Sequence, residues 1–131
     1  MALHLVVPDT HCKPGVTNER LLWAGRLALH RRPDVIIQLG DFADMPSLSA
    51  YDKGLRSFEG RRYKSDIAAA VDGNEKFFQP LKRYNARRAK NKKQQYKPRL
   101  IKLRGNHEER IMRAANSAPE LEGTLSYADF K

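Results

Sequence analysis

Three short stretches of this chain carry side chains that can bind a metal ion and move a proton: Asp9-Thr10-His11, Gly40-Asp41-Phe42-Ala43-Asp44 and Gly105-Asn106-His107-Glu108. Their carboxylate, imidazole and amide groups are the oxygen and nitrogen donors that divalent cations prefer. Asp9 and His11, two residues apart, can reach one ion. A lone Asp or His in a loop is more often a cap or a surface residue. Three such stretches in the same position relative to the apolar runs before them form a stronger signal.

Each stretch follows a run that reads as a strand: Leu3-His4-Leu5-Val6-Val7, Val35-Ile36-Ile37 and Leu100-Ile101-Lys102-Leu103. Continuous apolar runs suit a parallel sheet, and ligands of such sheets collect beyond the carboxyl ends of the strands. The fold class is therefore α/β. Between the first two runs the pattern predicts a helix capped near Thr17 or Asn18. It places Leu21, Leu22, Gly25, Ala28 and Leu29 on one face, with Trp23 at the border and Pro33 as the stop after Arg32. A right-handed crossover through that helix brings Asp9 and Asp41 to one edge. Next come a short helix after Pro46, capped by Ser47, and an irregular stretch through Gly54 and Gly60. There Arg56, Arg61, Arg62 and Lys64 are candidates to face a phosphate. A long helix begins near Ser65, with Ile67, Ala70, Val71, Phe77 or Phe78, and Leu81 as its buried stripe and with bends or breaks expected at Gly73 and Pro80. After the third run a helix carries Ile111, Met112 and Ala115, and Asn106 is a candidate to cap it.

With 131 residues the chain bounds one domain, 1–131, which is short for a two-sheet enzyme. The N-terminal segment lacks the charged and apolar regions of a secretion signal, and no apolar stretch reaches membrane-spanning length, so a cytoplasmic protein without membrane contact is expected. The single cysteine, Cys12, can form no internal disulfide and reads as a small buried residue. His4 and His30 read as structural. The net charge of +10 is concentrated: eleven of the 25 Lys and Arg lie between Lys82 and Arg104, with no Asp or Glu among them. Residues 82–99 therefore read as a basic, solvated excursion between two elements. Its functional reading is a nucleic-acid contact through Arg87, Arg88, Lys92 and Lys93, with Tyr84 and Tyr96 as candidates to stack on bases.

From residue 3 to about residue 115, the three donor stretches in this order resemble the first three motifs of the calcineurin-like metallophosphoesterases, among them phage-encoded phosphoesterases. The resemblance implies the parallel-sheet βαβ half of that family's α/β/β/α sandwich, lacking the second sheet. It implies two divalent metal ions (Mn, Fe, Zn or Mg, with Mn favoured), Asp9 and His11 on the first, Asn106 on the second and Asp41 bridging both. His107 becomes the acid that protonates the leaving oxygen or orients substrate, with Asp44 as its carboxylate partner. Arg104 and Glu108 then support the ligands or bind substrate. The implied activity is hydrolysis of phosphate esters by metal-bound hydroxide, on phosphodiesters of nucleotides or nucleic acid. Two departures matter. Met45-Pro46 stands where protein phosphatases of the family carry Arg-Gly, and no histidine follows His107. The family's later histidines complete both metal sites, so the second site is expected to be incomplete here. The missing ligands would have to come from a companion C-terminal fragment or by self-association. The alternative is a catalytically incomplete, basic nucleic-acid- or partner-binding remnant of the same fold.

Overall fold

In the computed structural model, which describes residues 1–130, the chain is mixed α/β. Its elements are β1 (His4–Val7), α1 (Glu19–Arg31), β2 (Val35–Gln38), α2 (Tyr63–Lys90), β3 (Arg99–Lys102) and α3 (Arg110–Ser117), with single 3-10 turns at Pro46–Leu48, Arg56–Phe58, Pro119–Leu121 and Tyr127–Phe130. The strands form one parallel sheet in the order β1-β2-β3, with Leu5 opposite Ile36 and Ile36 opposite Leu100. All three strand ends therefore share an edge. Both crossovers step the same way across the sheet, and right-handed connections then lay both helices on one face. Helices α1 and α2 do pack together there, around a core of Val7, Cys12, Leu21, Ala28, Ile36, Phe77 and Leu81. Each large apolar side chain buried in this way contributes roughly 1.5–3 kcal/mol.

Helix α1 ends as Pro33 dictates. Arg32 turns left-handed (φ 48°, ψ 57°), and its N–H returns to the Ala28 carbonyl at 2.8 Å. Asn18 holds the expected cap position, and Thr17 Oγ1 accepts the Glu19 N–H at 3.4 Å. Asn18 makes no capping bond; its amide reaches α2 instead, donating to Ala69 O and Asp72 Oδ2, both at 2.9 Å. Trp23 is 64% exposed. The two helices touch closely at Gly25, where a methyl group would overlap the Phe77 carbonyl, and at Gly73, where one would sit 2.8 Å from Leu21 Cδ1 and 2.5 Å from Sγ of Cys12 in the loop after β1.

Helix α2 starts near the expected Ser65 and corrects two expectations. It begins at Tyr63 and runs 28 residues without a break, so neither Gly73 nor Pro80 divides it. Gly73 serves instead as the flat spot that admits Cys12 and Leu21. The basic stretch is not a loop throughout: Lys82 to Lys90 are the last turns of this helix. Residues 91–98 are tied back to it by Asn85, whose side chain accepts from Tyr96 N–H at 2.9 Å and donates to Tyr96 O at 2.7 Å. Ser47 does not cap the turn after Pro46, because Met45 holds that position and the Ser47 N–H donates to Asp66 Oδ2 at 2.8 Å. In α3, Ile111 is buried and Met112 is 48% exposed. Glu109, not Asn106, holds the cap position of α3.

The other sheet face is open. By register it presents His4, Val6, Val35, Ile37, Arg99 and Ile101, and Leu39 (46% exposed) and Leu103 (51%) continue it. No helix among the described residues is long and apolar enough to cross a membrane.

Candidate metal centre

At the carboxyl edge the β1–β2 pairing continues past the strands into the loops that carry the donors. His11 N–H donates to Asp41 O at 3.0 Å, Cys12 N–H to Phe42 O at 2.7 Å and Asp44 N–H to Cys12 O at 2.9 Å. The backbone here is bent hard. Asp9 (φ 36°), His11 (φ 46°), Asp41 (φ 48°) and Met45 (φ 51°) all adopt the left-handed region, leaving Arg32 and Lys92 as the other non-glycine residues that do. Each such residue costs on the order of 1 kcal/mol, and strain of this kind clusters where a structure positions groups for function.

The bends bring ligand atoms of Asp9, His11 and Asp41 within 4.8 Å of one another, and the same holds for His11, Asp44 and His107. His11 is common to both groups, and Asp44 stands between the two imidazoles. Its Oδ1 lies 3.2 Å from His11 Nδ1 and 2.9 Å from His107 Nδ1, and Lys13 Nζ stands 3.6 Å from Oδ2. His107 Nδ1 also lies 2.8 Å from the Asp44 carbonyl. Both neighbours of that nitrogen are acceptors, so Nδ1 carries a proton. The two imidazoles meet edge to face at 4.7 Å between centroids.

Asn106 reaches the same place from the third strand end. One terminal atom of its amide lies 2.8 Å from Asp41 Oδ2. With nitrogen on that side the amide donates to Asp41. With oxygen there, two acceptors oppose each other, and only a shared cation or rotation of the amide relieves the contact. Asp41 Oδ1 accepts the His107 N–H at 2.9 Å. All six residues named as ligands or proton carriers, Asp9, His11, Asp41, Asp44, Asn106 and His107, thus lie at this edge. His4, which opens β1 on the uncovered face, and His30, near the end of α1, do not.

Glu108 has a role that its sequence position did not disclose. It is 6% exposed, and its carboxylate accepts three backbone N–H groups: Asp41 at 2.9 Å and Gly105 at 2.8 Å on Oε2, and Ala43 at 2.8 Å on Oε1. One carboxylate therefore ties the second donor loop to the third. The loops approach so closely that a side chain at Gly105 would overlap Asp41, and Gly40 (φ 101°) faces Gly105 from the other side. Arg104 forms no ion pair with Glu108 and stacks its guanidinium 4.0 Å above the Tyr127 ring. Arg110, not foreseen, donates to Asp44 O at 3.0 Å and Met45 O at 3.3 Å. Nothing in its place within Glu-Glu-Arg marked it for that. The adjoining cleft, about 550 Å³, is lined by Lys13, Asp44, Arg61, Arg62, Asp66 and Arg110 among others. Arg61 is already held by Asp52 at 2.6 Å, and Arg56 and Lys64 do not line the cleft. Cys12 is fully buried, and burial pushes its thiol up.

Donors from three strand ends, held by strained loops and a buried carboxylate clamp, can bind a cation. No protein-family model, curated protein or solved structure matches this chain.

Proposed function

We propose that the chain is a metal-dependent phosphoesterase with the donor set of the calcineurin-like family, acting on phosphodiesters of nucleotides or nucleic acid. The convergence of Asp9, His11 and Asp41 within 4.8 Å is the observation that carries this reading. The donors fit a divalent ion. Asp44 holds His11 by Nδ1 and leaves Nε2 for the metal, the arrangement in which a carboxylate orients a ligating imidazole. Asp9, His11 and Asp41 would hold the first ion, and Asp41 with Asn106 would contribute to a second. A bound ion makes water nucleophilic near neutral pH and neutralises charge on phosphoryl oxygens.

The chain's own groups supply the rest. Asp44 accepts a hydrogen bond from His107 Nδ1–H, so that the imidazolium would give its Nε2 proton to the leaving oxygen and end as the neutral Nδ1–H tautomer. Glu108 keeps Asp41 in place through the backbone. The cleft beside Asp44, with Lys13 and Arg62 at its wall, offers room for the remainder of a phosphate ester. A catalytically incomplete remnant is the second reading. It is favoured by the positions of His4 and His30 away from the edge, which leave His11 and His107 as the imidazoles at the centre.

Calorimetric titration of metal-stripped protein with Mn, with elemental analysis of the product and turnover of a chromogenic phosphodiester, separates the readings. The expected result is one firmly held ion and slow but measurable turnover, both lost in Asp41→Asn. Ion binding without turnover selects the remnant. Failure to bind any ion, or an Asp41→Asn protein that binds as before, overturns the metal centre itself. Two firm ions and rapid turnover would show that the second site is complete within this chain.

A further inference from the structure

Helices α1 and α2 both run antiparallel to the strands, so their C-termini meet at the amino edge of the sheet, opposite the metal centre. That pole collects the charge. On α2 the exposed Arg83, Arg87 and Lys90 follow at intervals of four and three residues, which sets them on one helix face. Exposed Lys92 and Lys93 lie just beyond the helix end. Arg32 joins α1 to the same surface: its guanidinium stacks 5.1 Å from the Tyr84 centroid and donates to the Tyr84 hydroxyl at 2.7 Å, and Arg88 covers the ring at 5.8 Å. An open groove of about 660 Å³ runs between Arg32-Pro33-Asp34 and the 93–98 loop. Asp34 is the carboxylate in that groove, and it accepts the Leu3 N–H at 2.7 Å.

No Lys or Arg from 82 to 104 makes an ion pair among the described residues. Like charges at helical spacing repel, by a few tenths of a kcal/mol per pair. Cations at a helix C-terminus offset part of this through the dipole, but only within the last turn. A polyanion would relieve the rest of the repulsion more fully than screening by salt.

We propose that this basic pole is a docking surface for a polynucleotide backbone, separate from the metal centre and indifferent to base sequence. Neither tyrosine is free to stack on bases. Tyr84 is enclosed by two guanidinium groups, and the Tyr96 hydroxyl donates to Pro33 O at 2.6 Å. Contacts are left to phosphates, which position without specifying. The surface also lacks the apolar wedge of a membrane-binding helix, since no large exposed hydrophobic residue falls between 82 and 99. This inference does not depend on catalysis.

The test is fluorescence anisotropy of the full chain with labelled 20-base-pair duplexes, one A·T-rich and one G·C-rich, across a salt series. Binding should weaken steeply with salt, and the two duplexes should agree within about twofold. In a protein carrying Arg83→Gln, Arg87→Gln, Lys92→Gln and Lys93→Gln, affinity at 100 mM salt should fall at least tenfold. The slope of log K against log salt should flatten by about 3 to 4, at roughly 0.9 per lost phosphate contact. Circular dichroism confirms that this variant is folded, and Lys92→Glu with Lys93→Glu in the loop provides a second variant that leaves the helix untouched. A wild-type slope shallower than 1, an unchanged slope in both variants, strong preference for one duplex, or capture by anionic vesicles with no duplex binding would each overturn the proposal.

Discussion

Glu108 shows how a single side chain can hold a site without touching what the site binds. Three backbone N–H groups converge on its buried carboxylate, and charged hydrogen bonds of this kind contribute roughly 1.5–3 kcal/mol each when a partner would otherwise be orphaned. Glu108→Gln retains one acceptor oxygen and turns an amide N–H₂ against another donor, so it should cost about 2 kcal/mol. Glu108→Ala strands all three donors and should cost more, about 3–4 kcal/mol. Chemical denaturation measures both, and manganese titration should show a weaker ion in Gln than in wild type because Asp41 is no longer fixed. Equal stability of all three proteins would remove the clamp from the account. The donors themselves were legible in the sequence because Asp, His and Asn after apolar runs are a pattern of residue types. Glu108's role was not, because its partners are main-chain atoms more than sixty residues away, except for Gly105. Main-chain donors leave no mark in a list of side chains.

Among the elements, α2 is where local signals and structure part. Glycine and proline at Gly73 and Pro80 read as breaks, since each lowers helix propensity. At Gly73 packing overrules the signal, because a glycine is needed to seat Cys12 and Leu21; Pro80 lies within the helix without ending it. The strands were easier: short apolar runs with no competing helical period admitted one reading. Helix α2 also carries a buried acid in its first turns. Asp66 is 1% exposed, and burial holds its carboxyl above the ordinary 3.8, although the Ser47 N–H on Oδ2 acts the other way. The unfolded chain therefore releases this proton before the folded one does. Stability from the bound proton is full below about pH 3.8 and is lost as pH rises through the folded value. Asp66→Asn keeps an acceptor for Ser47 N–H and cannot ionise. Thermal unfolding of the two proteins from pH 3.5 to 7 should show the variant gaining on wild type as pH rises. A constant difference across that range would mean that Asp66 titrates as an ordinary carboxyl.

At the scale of the molecule, the sheet is covered on one face only. Val6, Leu39 and Leu103, each about half exposed, lie beside Val35, Ile37 and Ile101 in one contiguous apolar strip. Exposed strips of this kind drive association. Sedimentation at increasing protein concentration should show self-association, which Val6→Thr with Ile37→Thr should suppress while leaving the helix-side core intact. A monomer at all concentrations would show that water alone covers the strip at no cost. The resemblance implied a missing second sheet, but the strand order that lays both helices on one face came only from the structure. The breadth of the apolar strip required the register.

The length of α2 sets a scale for anything that engages both ends of the molecule. Twenty-eight residues at 1.5 Å each make a rod of about 42 Å, with the metal loops near its first turn and the basic pole at its last. A duplex rises about 3.4 Å per base pair, so the rod matches about a dozen base pairs. On the two proposals above, fragments shorter than that would occupy one pole or the other, and longer ones would be held at the basic end with a phosphodiester farther along over Asp41. Taken with those proposals, the uninterrupted helix would act as a ruler, dividing polynucleotides by size before any bond is broken.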